Sequence, residues 1–553
     1  MIRKPDGVVI VSSWGLPEYY RESYYVLEMD SEEGRRIVVP GPGRIKKRSS
    51  TAAIEEVFRR YLGVERVELL VFVQDTILLQ KIIENWNLYR NKILRREELE
   101  NILLNALYDS KIEVARELGA KSSEAYRDIV RFVPGVISHV RGACLYTWRG
   151  ERAYDVLRGT ITLHTYVKLE ELHSKLGKEA SEIAVILDTT HGINYFASAL
   201  KDGTLAATEL FALKNVSNIR AVTVYHYNSD PMPPEAREEV PSLKLHLLDK
   251  INIVKDGKLY TSYLAPLLRE VEVVHKEGRG LENFWREGDW NRILAPLSFY
   301  PRGLLAWALR ATLDRGEIGC PEIGQLEQAA RDIRIKFEQK GSQYKISYEL
   351  GMRCPIIYVV LSSIPFRILQ EYAERAREKR GKVEELWNYI SEVLELLATK
   401  KDELPEVESL ANILEKFLKL KNQFICFKLR EVVELARKVL TEPLREINVY
   451  ELENRIGQYL SSKRRGVLGW KEILAFKGVR TYREPRGRAY FIVYDDRLLL
   501  VPSLNRGIDK RNVYAHAGLA YSLKWLAINL GRHDETLLCL GEVKDLRKVL
   551  GLF

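Results

Sequence analysis

Cysteine, histidine and methionine are all scarce in these 553 residues, at five, nine and four copies. Cys144, Cys320, Cys354, Cys426 and Cys539 lie far apart, and no Cys-x-x-Cys pair occurs. An odd, scattered set of thiols argues against both a zinc site and a disulfide framework, so buried, reduced cysteines are the expectation. No apolar run reaches the roughly eighteen residues of a membrane span. The opening "MIRKPDGVVIVSSWG" holds too short an apolar stretch for a signal peptide. It reads as a first strand, and a cytoplasmic protein is expected. The patterns G-x-x-x-x-G-K-[ST], G-x-G-x-x-G and H-E-x-x-H are missing as well, which leaves polymerase, kinase and dehydrogenase chemistry without support. "GPGRIKKRSS" (41–50) is basic and has two glycines, but it lacks the strand–loop–helix context of a phosphate cradle and reads as a solvated loop. There is no internal repeat and no low-complexity tract.

What is present is ordinary for a soluble globular chain: 46% hydrophobic and 29% charged residues. The length suggests roughly two to four domains with ample material for a core. The net charge of +10, from 86 basic and 76 acidic residues, permits a polyanionic partner without requiring one.

The N-terminal half alternates strand and helix patterns. "GVVIVSSWG" (7–15), "VELLVFVQDT" (67–76), "AVILDTTHGINY" (184–195) and "NIRAVTVYHYNSDP" (218–231) are apolar runs that end in polar tails. "STAAIEEVFRRYLG" (50–63) predicts a helix capped by Ser50 or Thr51. More helical sequence covers 92–118. Continuous apolar strands with helices between them predict a parallel sheet covered on both faces. Ligands of such sheets bind beyond the carboxyl ends of the strands, where all four polar tails fall. A Gly-rich, charged stretch at 276–290 marks a boundary, beyond which the pattern is mostly helical. "RAYFIVYDDRLLLVP" (488–502) interrupts it as a β-hairpin turning at Asp495-Asp496. A last long helix is predicted from about 510 to 530, with Asp509 as N-cap and Gly531 as its stop.

Two short stretches carry chemistry. "DTTHGIN" places Asp188, Thr189, Thr190, His191, Gly192 and Asn194 directly after a buried strand. Hydroxyls, amides and free backbone N–H groups at such a turn suit nucleobases, riboses and phosphates, although a turn of capping residues has the same composition. "RNVYAHAG" (511–518) starts the predicted last helix. Asn512 and His516 share a face there, and Arg511 at the helix start can swing toward the same space. RNA can be cut by its own 2′-hydroxyl if a base, an acid and cations are supplied. Histidine serves either proton role near neutral pH. The only other histidine in the last 270 residues is His533, so one chain is a proton carrier short. Two copies of the helix in a dimer would supply two histidines and two arginines.

Arg-Asn-x-x-x-His near the C-terminal end resembles the signature of HEPN ribonucleases. Asp-Thr-Thr-His-Gly-Ile-Asn after a strand resembles the second ligand motif of CARF domains, and Ser-Ser-Trp-Gly falls where the first belongs. Together they resemble the CARF–HEPN ancillary ribonucleases of type III CRISPR systems (the Csx class). That resemblance implies an α/β plus all-α fold: a Rossmann-like CARF domain over 1–280, a helical linker of helix-turn-helix type over 281–380, and a helical HEPN domain with a hairpin insertion over 381–553. It implies a homodimer or larger oligomer that binds a cyclic oligoadenylate, often the tetra-adenylate ring, as allosteric activator. The implied activity is cleavage of single-stranded RNA without a metal or other cofactor. Arg511 and His516 then take the catalytic positions, with Asn512 orienting the site. Ser12, Ser13, Trp14 and Gly15 fall on the first ligand motif, and Asp188, Thr189, Thr190, His191, Gly192 and Asn194 on the second. Gln74, Asp75, Thr76, His226 and Asn228 are ligand candidates by strand-end position alone. A CARF-based transcription regulator without nuclease activity, and a ring nuclease that cuts its own activator, remain alternatives.

Overall fold

The computed structural model describes residues 4–14, 20–30, 36–39, 45–74, 86–89, 92–110, 112–119, 123–133, 139–141, 144–148, 153–177, 181–190, 194–230, 240–260, 262–276, 289–313, 321–340, 343–350, 356–378, 380–402, 404–440, 471–483, 489–502, 525–529 and 536–542. The chain divides into two compact units. The first comprises Met1–Leu264, Val274–Phe284 and Pro321–Ser363, and the second Ala265–Val273, Trp285–Cys320 and Ile364–Phe553. Among the described residues no helix is long and apolar enough to cross a membrane.

The first unit is built on a ten-stranded sheet. Across it run Arg36–Val39, Ser23–Asp30, Ser242–Lys255, Ala221–Ser229, Glu182–Asp188, Gly7–Trp14, Arg66–Gln74 and Val130–Val133, with Ile45–Lys47 and Lys258–Leu259 paired at the side. The five strands from Ala221–Ser229 to Val130–Val133 are mutually parallel, while Ser242–Lys255 returns antiparallel. All eight residues of Gly7–Trp14 are buried, as a strand covered on both faces demands. Val8, Ile10 and Ile186 share one core with Ala53 and Ile54 of the helix Ser50–Glu56 and with Val57 just after it, whereas Gly7 lies against Leu172 and Leu176 of the helix Ala153–Leu176.

That long helix owes its close approach to the helix Ile356–Ala376 to Gly159. A Cβ there would stand 2.4 Å from the backbone nitrogen of Ile357. Gly159→Ala is therefore expected to cost about 1–3 kcal/mol of the first unit's stability by overpacking. A thermal melt that leaves the midpoint where the wild type has it would contradict this packing.

The stretch read as a helical linker does contain helices, Asp289–Phe299, Leu305–Thr312 and Ile323–Arg331. It also holds an antiparallel hairpin, Ile333–Lys340 with Gln343–Leu350. That hairpin joins Ile93–Arg95, Cys144–Trp148 and His139–Arg141 in a five-stranded sheet, and Ile335, Phe337, Ile346 and Tyr348 enter the core of the first unit. Alternation of apolar and charged residues in "IRIKFEQK" was the available signal for a strand.

The second unit sets helices Arg380–Ala398 and Pro405–Lys419 against a seven-stranded sheet. The hairpin at 488–502 is there, as Ala489–Tyr494 and Arg497–Pro502, turning on Asp495 and Asp496, both with positive φ. It is not isolated. Lys471–Phe476 and Val479–Arg483 extend it on one side, and Trp525–Asn529, Leu537–Leu540 and Ile425–Lys428 on the other. The predicted helix to residue 530 is thus corrected. Trp525–Asn529 is a strand, paired to Arg497–Pro502 and to Leu537–Leu540. A five-residue apolar run is compatible with either element, and two neighbouring strands decide it.

Reduced thiols throughout are corrected too. Cys426 and Cys539 face each other on antiparallel strands and form a disulfide across a separation of 113 residues. Both are buried, as expected, but only the strand register brings them together. Closing so long a loop is worth about 2–4 kcal/mol. The double variant Cys426→Ser, Cys539→Ser should lose that much stability in a urea melt, and reductant should do the same to the wild type. Identical melts with and without reductant would contradict the bond.

Candidate functional site

Among the five parallel strands, those that follow Gly7–Trp14 in the chain are added first on one side, as Arg66–Gln74 and Val130–Val133, and then on the other, as Glu182–Asp188 and Ala221–Ser229. The strand order therefore reverses between Gly7–Trp14 and Glu182–Asp188, the position at which open parallel sheets hold ligands. Ser12 and Asp188 are direct partners in that pairing, so the two strand-end motifs read from the sequence meet there.

Asp188 is fully buried and acts as a hub. Its Oδ2 accepts from Ser50 at 2.7 Å and lies 3.1 Å from the Ser12 hydroxyl and 3.3 Å from that of Thr51. Ser12 and Thr51 are also 2.8 Å apart. Each hydroxyl has one proton, so one of these two donates to the other and the remaining proton goes to the carboxylate. Trp14 Nε1 donates to Thr51 at 3.2 Å, and the Thr190 N–H donates to Asp188 Oδ1 at 3.1 Å. A buried carboxylate persists when it is hydrogen-bonded in this way. With no exposed surface, Asp188 holds the edge of the sheet in shape.

By sequence Ser50 and Thr51 are only possible helix caps. The cap is Ser49, whose hydroxyl accepts from the Ala52 N–H at 3.1 Å. That leaves both following hydroxyls for Asp188. The basic residues just before them are paired, Lys46 with Glu22 at 2.7 Å and Lys47 with Glu56 at 3.0 Å.

Thr189 reaches the adjacent strand. Its hydroxyl donates to the Tyr227 carbonyl at 3.2 Å and lies 3.0 Å from His226 Nε2. With its proton spent on the carbonyl, Thr189 accepts from Nε2–H, which makes His226 Nδ1 the bare acceptor of the ring. Burial, then Lys201, pushes the His226 imidazole below its ordinary range, so the ring is neutral at pH 7. His226 Nδ1, Ser13 Oγ and Thr190 Oγ1 are buried without a hydrogen-bond partner among the described residues. Three orphaned polar atoms on neighbouring strand ends are what a polar ligand would satisfy.

Gln74 ends the Arg66 strand and accepts from the Tyr195 hydroxyl at 3.0 Å, which links that strand to the helix Asn194–Asn215. Tyr195 directly follows the second motif and was missed. Asn228 stands apart from the Asp188 network: its Oδ1 accepts from the Ser229 N–H at 2.9 Å. It pairs across the sheet with His246, which is itself held by Asp230 at 2.7 Å and by Glu28 at 3.5 Å. Asn194 is the first residue of its helix. Gly15, Asp75, Thr76, His191 and Gly192 lie outside the described residues, as do Arg511, Asn512 and His516. The last three fall in 503–524, which connects two antiparallel neighbours of the second unit's sheet, Arg497–Pro502 and Trp525–Asn529.

Residues 9–231 match a family model described as the CARF domain of the CRISPR system endoribonuclease Csx1. No curated protein matches the chain. The matched stretch contains the parallel strands Arg66–Gln74, Glu182–Asp188 and Ala221–Ser229 and both sides of the switch point, so the N-terminal part of the chain is a Csx1-like CARF domain.

Proposed function

We propose that this chain is an RNA endonuclease of type III CRISPR defence, switched on by a cyclic oligoadenylate. The observation that carries the reading is the meeting of Ser12 and Asp188 at the switch point of a sheet within the CARF match. CARF domains of this kind sense cyclic oligoadenylates. Around Asp188, the Ser13 and Thr190 hydroxyls can donate to phosphate or ribose oxygens. The bare Nδ1 of His226 can accept from an adenine amino group.

The catalytic assignment rests on the Arg511-Asn512-x-x-x-His516 pattern. His516 takes the proton from a 2′-hydroxyl, whose oxygen attacks the adjacent phosphorus. As that O–P bond forms, the bond to the 5′-oxygen breaks, and a second imidazole, from the partner copy, protonates the leaving oxygen. Arg511 carries the charge that grows on the phosphate oxygens. Asn512 orients the pair. No water is consumed, and the ends produced are a 2′,3′-cyclic phosphate and a 5′-hydroxyl.

The test is cleavage of labelled single-stranded RNA by the full chain in EDTA, with rings of different size added in turn. One ring should switch on cleavage, leaving cyclic phosphate ends. Cleavage that ignores every ring, or that needs a divalent metal, would overturn the proposal.

A further inference from the structure

The large sheet has a concavity at the strand ends opposite Asp188. A cavity of ≈ 440 Å³ opens beside the first residues of the Glu182 and Ala221 strands. That volume lies in the range of small-molecule sites, which combine apolar walls with a few placed polar groups. Phe58 and Met29, both buried, supply apolar wall. Tyr225 supplies another wall, fixed by Lys250, whose Nζ stands 5.6 Å over the ring and 3.4 Å from Asp30.

On the floor, the Thr223 hydroxyl donates to Asn252 Oδ1 at 3.2 Å. This fixes the amide so that its Nδ2 offers donors. Arg220 and Lys255, both exposed, line the mouth. The Arg220 backbone is pinned by bonds to Ser181 at 2.8 Å and from Gly257 at 2.9 Å. Its guanidinium has no ion-pair partner among the described residues. Glu182 and Asp256 add carboxylates at the same mouth.

We propose that this cavity binds a purine nucleoside monophosphate, independently of the ring-sensing edge. The flat apolar walls take the purine, and the Asn252 amide donates to a ring nitrogen. The two carboxylates accept from the ribose hydroxyls. Arg220 and Lys255 hold the phosphate, with Arg220 offering the planar fork suited to it.

Equilibrium dialysis of the full chain with radiolabelled AMP, and separately GMP, tests this. Saturable binding of one nucleotide per chain is expected. Asn252→Leu and Arg220→Glu should each weaken it about tenfold or more, as loss of a charge-assisted or buried hydrogen bond does. Thr189→Val, at the opposite edge, should leave it unchanged, and melting curves should show all variants folded. No saturable binding of either nucleotide, or binding that survives both cavity substitutions, would overturn the proposal. So would loss of binding with Thr189→Val, which would place the nucleotide at the ring-sensing edge.

Discussion

Asp188→Ala is expected to abolish binding of a cyclic oligoadenylate and to destabilise the first unit by about 3 kcal/mol or more. The cost follows from the hub: removing the carboxylate strands the Ser50 hydroxyl and leaves Ser12, Thr51 and the Thr190 N–H short of an acceptor in a buried site. Asp188→Asn keeps the shape but turns one acceptor oxygen into a donor facing hydroxyls, so an intermediate loss is expected. Ser13→Ala and Thr189→Val provide the contrast. Neither residue holds Asp188, so ring affinity should fall at a smaller cost to the fold: none for Ser13, whose hydroxyl has no partner among the described residues, and about 1 kcal/mol for Thr189, which bonds the Tyr227 carbonyl and His226. Urea titration beside a ring-binding curve separates the two effects. If Asp188→Ala kept both stability and affinity, the hub would have no role in either.

The second large effect lies in the C-terminal half. His516→Ala and Arg511→Ala should each lower ring-activated RNA cleavage by about 10²–10⁴-fold, the usual worth of a proton-transfer group or a charge-stabilising donor. Ring binding should be untouched. A mixture of the two single variants is informative as well. If each site draws on both chains, the mixed dimers recover no more than a fraction of wild-type rate, because every site lacks a group. Single-turnover rates measure this, and an unimpaired His516→Ala enzyme would remove the histidine from the mechanism.

The parts that could be read in the sequence are those with short-range signals. Four apolar runs ending in polar tails mark four strands of the first sheet, and Asp188 and Ser12 sit at the ends of two of them. What escaped depends on pairings between distant segments. Ser50 and Thr51 look like helix caps until the helix is placed against Asp188, 138 and 137 residues away. The Cys426–Cys539 bond needs the register of two strands far apart in the chain. Trp525–Asn529 carries no more periodicity than a helix end would, and its sheet neighbours decide it. The cavity at Asn252 lies on the strand Ser242–Lys255, whose mixed polar and apolar sequence gives no continuous apolar run, and nothing linear brings Arg220, Phe58 and Asn252 together.

As proposed, a cyclic oligoadenylate binds at the Ser12–Asp188 edge, and the homodimer that the CARF resemblance implies would hold one ring between two chains. Isothermal titration of the full chain with cyclic tetra-adenylate and with rings one or two units larger or smaller tests it most directly. One ring size should bind with a stoichiometry of one ring per two chains, and Thr189→Val should weaken it. Absence of binding for every ring, or one ring bound per chain with Thr189→Val indistinguishable from wild type, would contradict it.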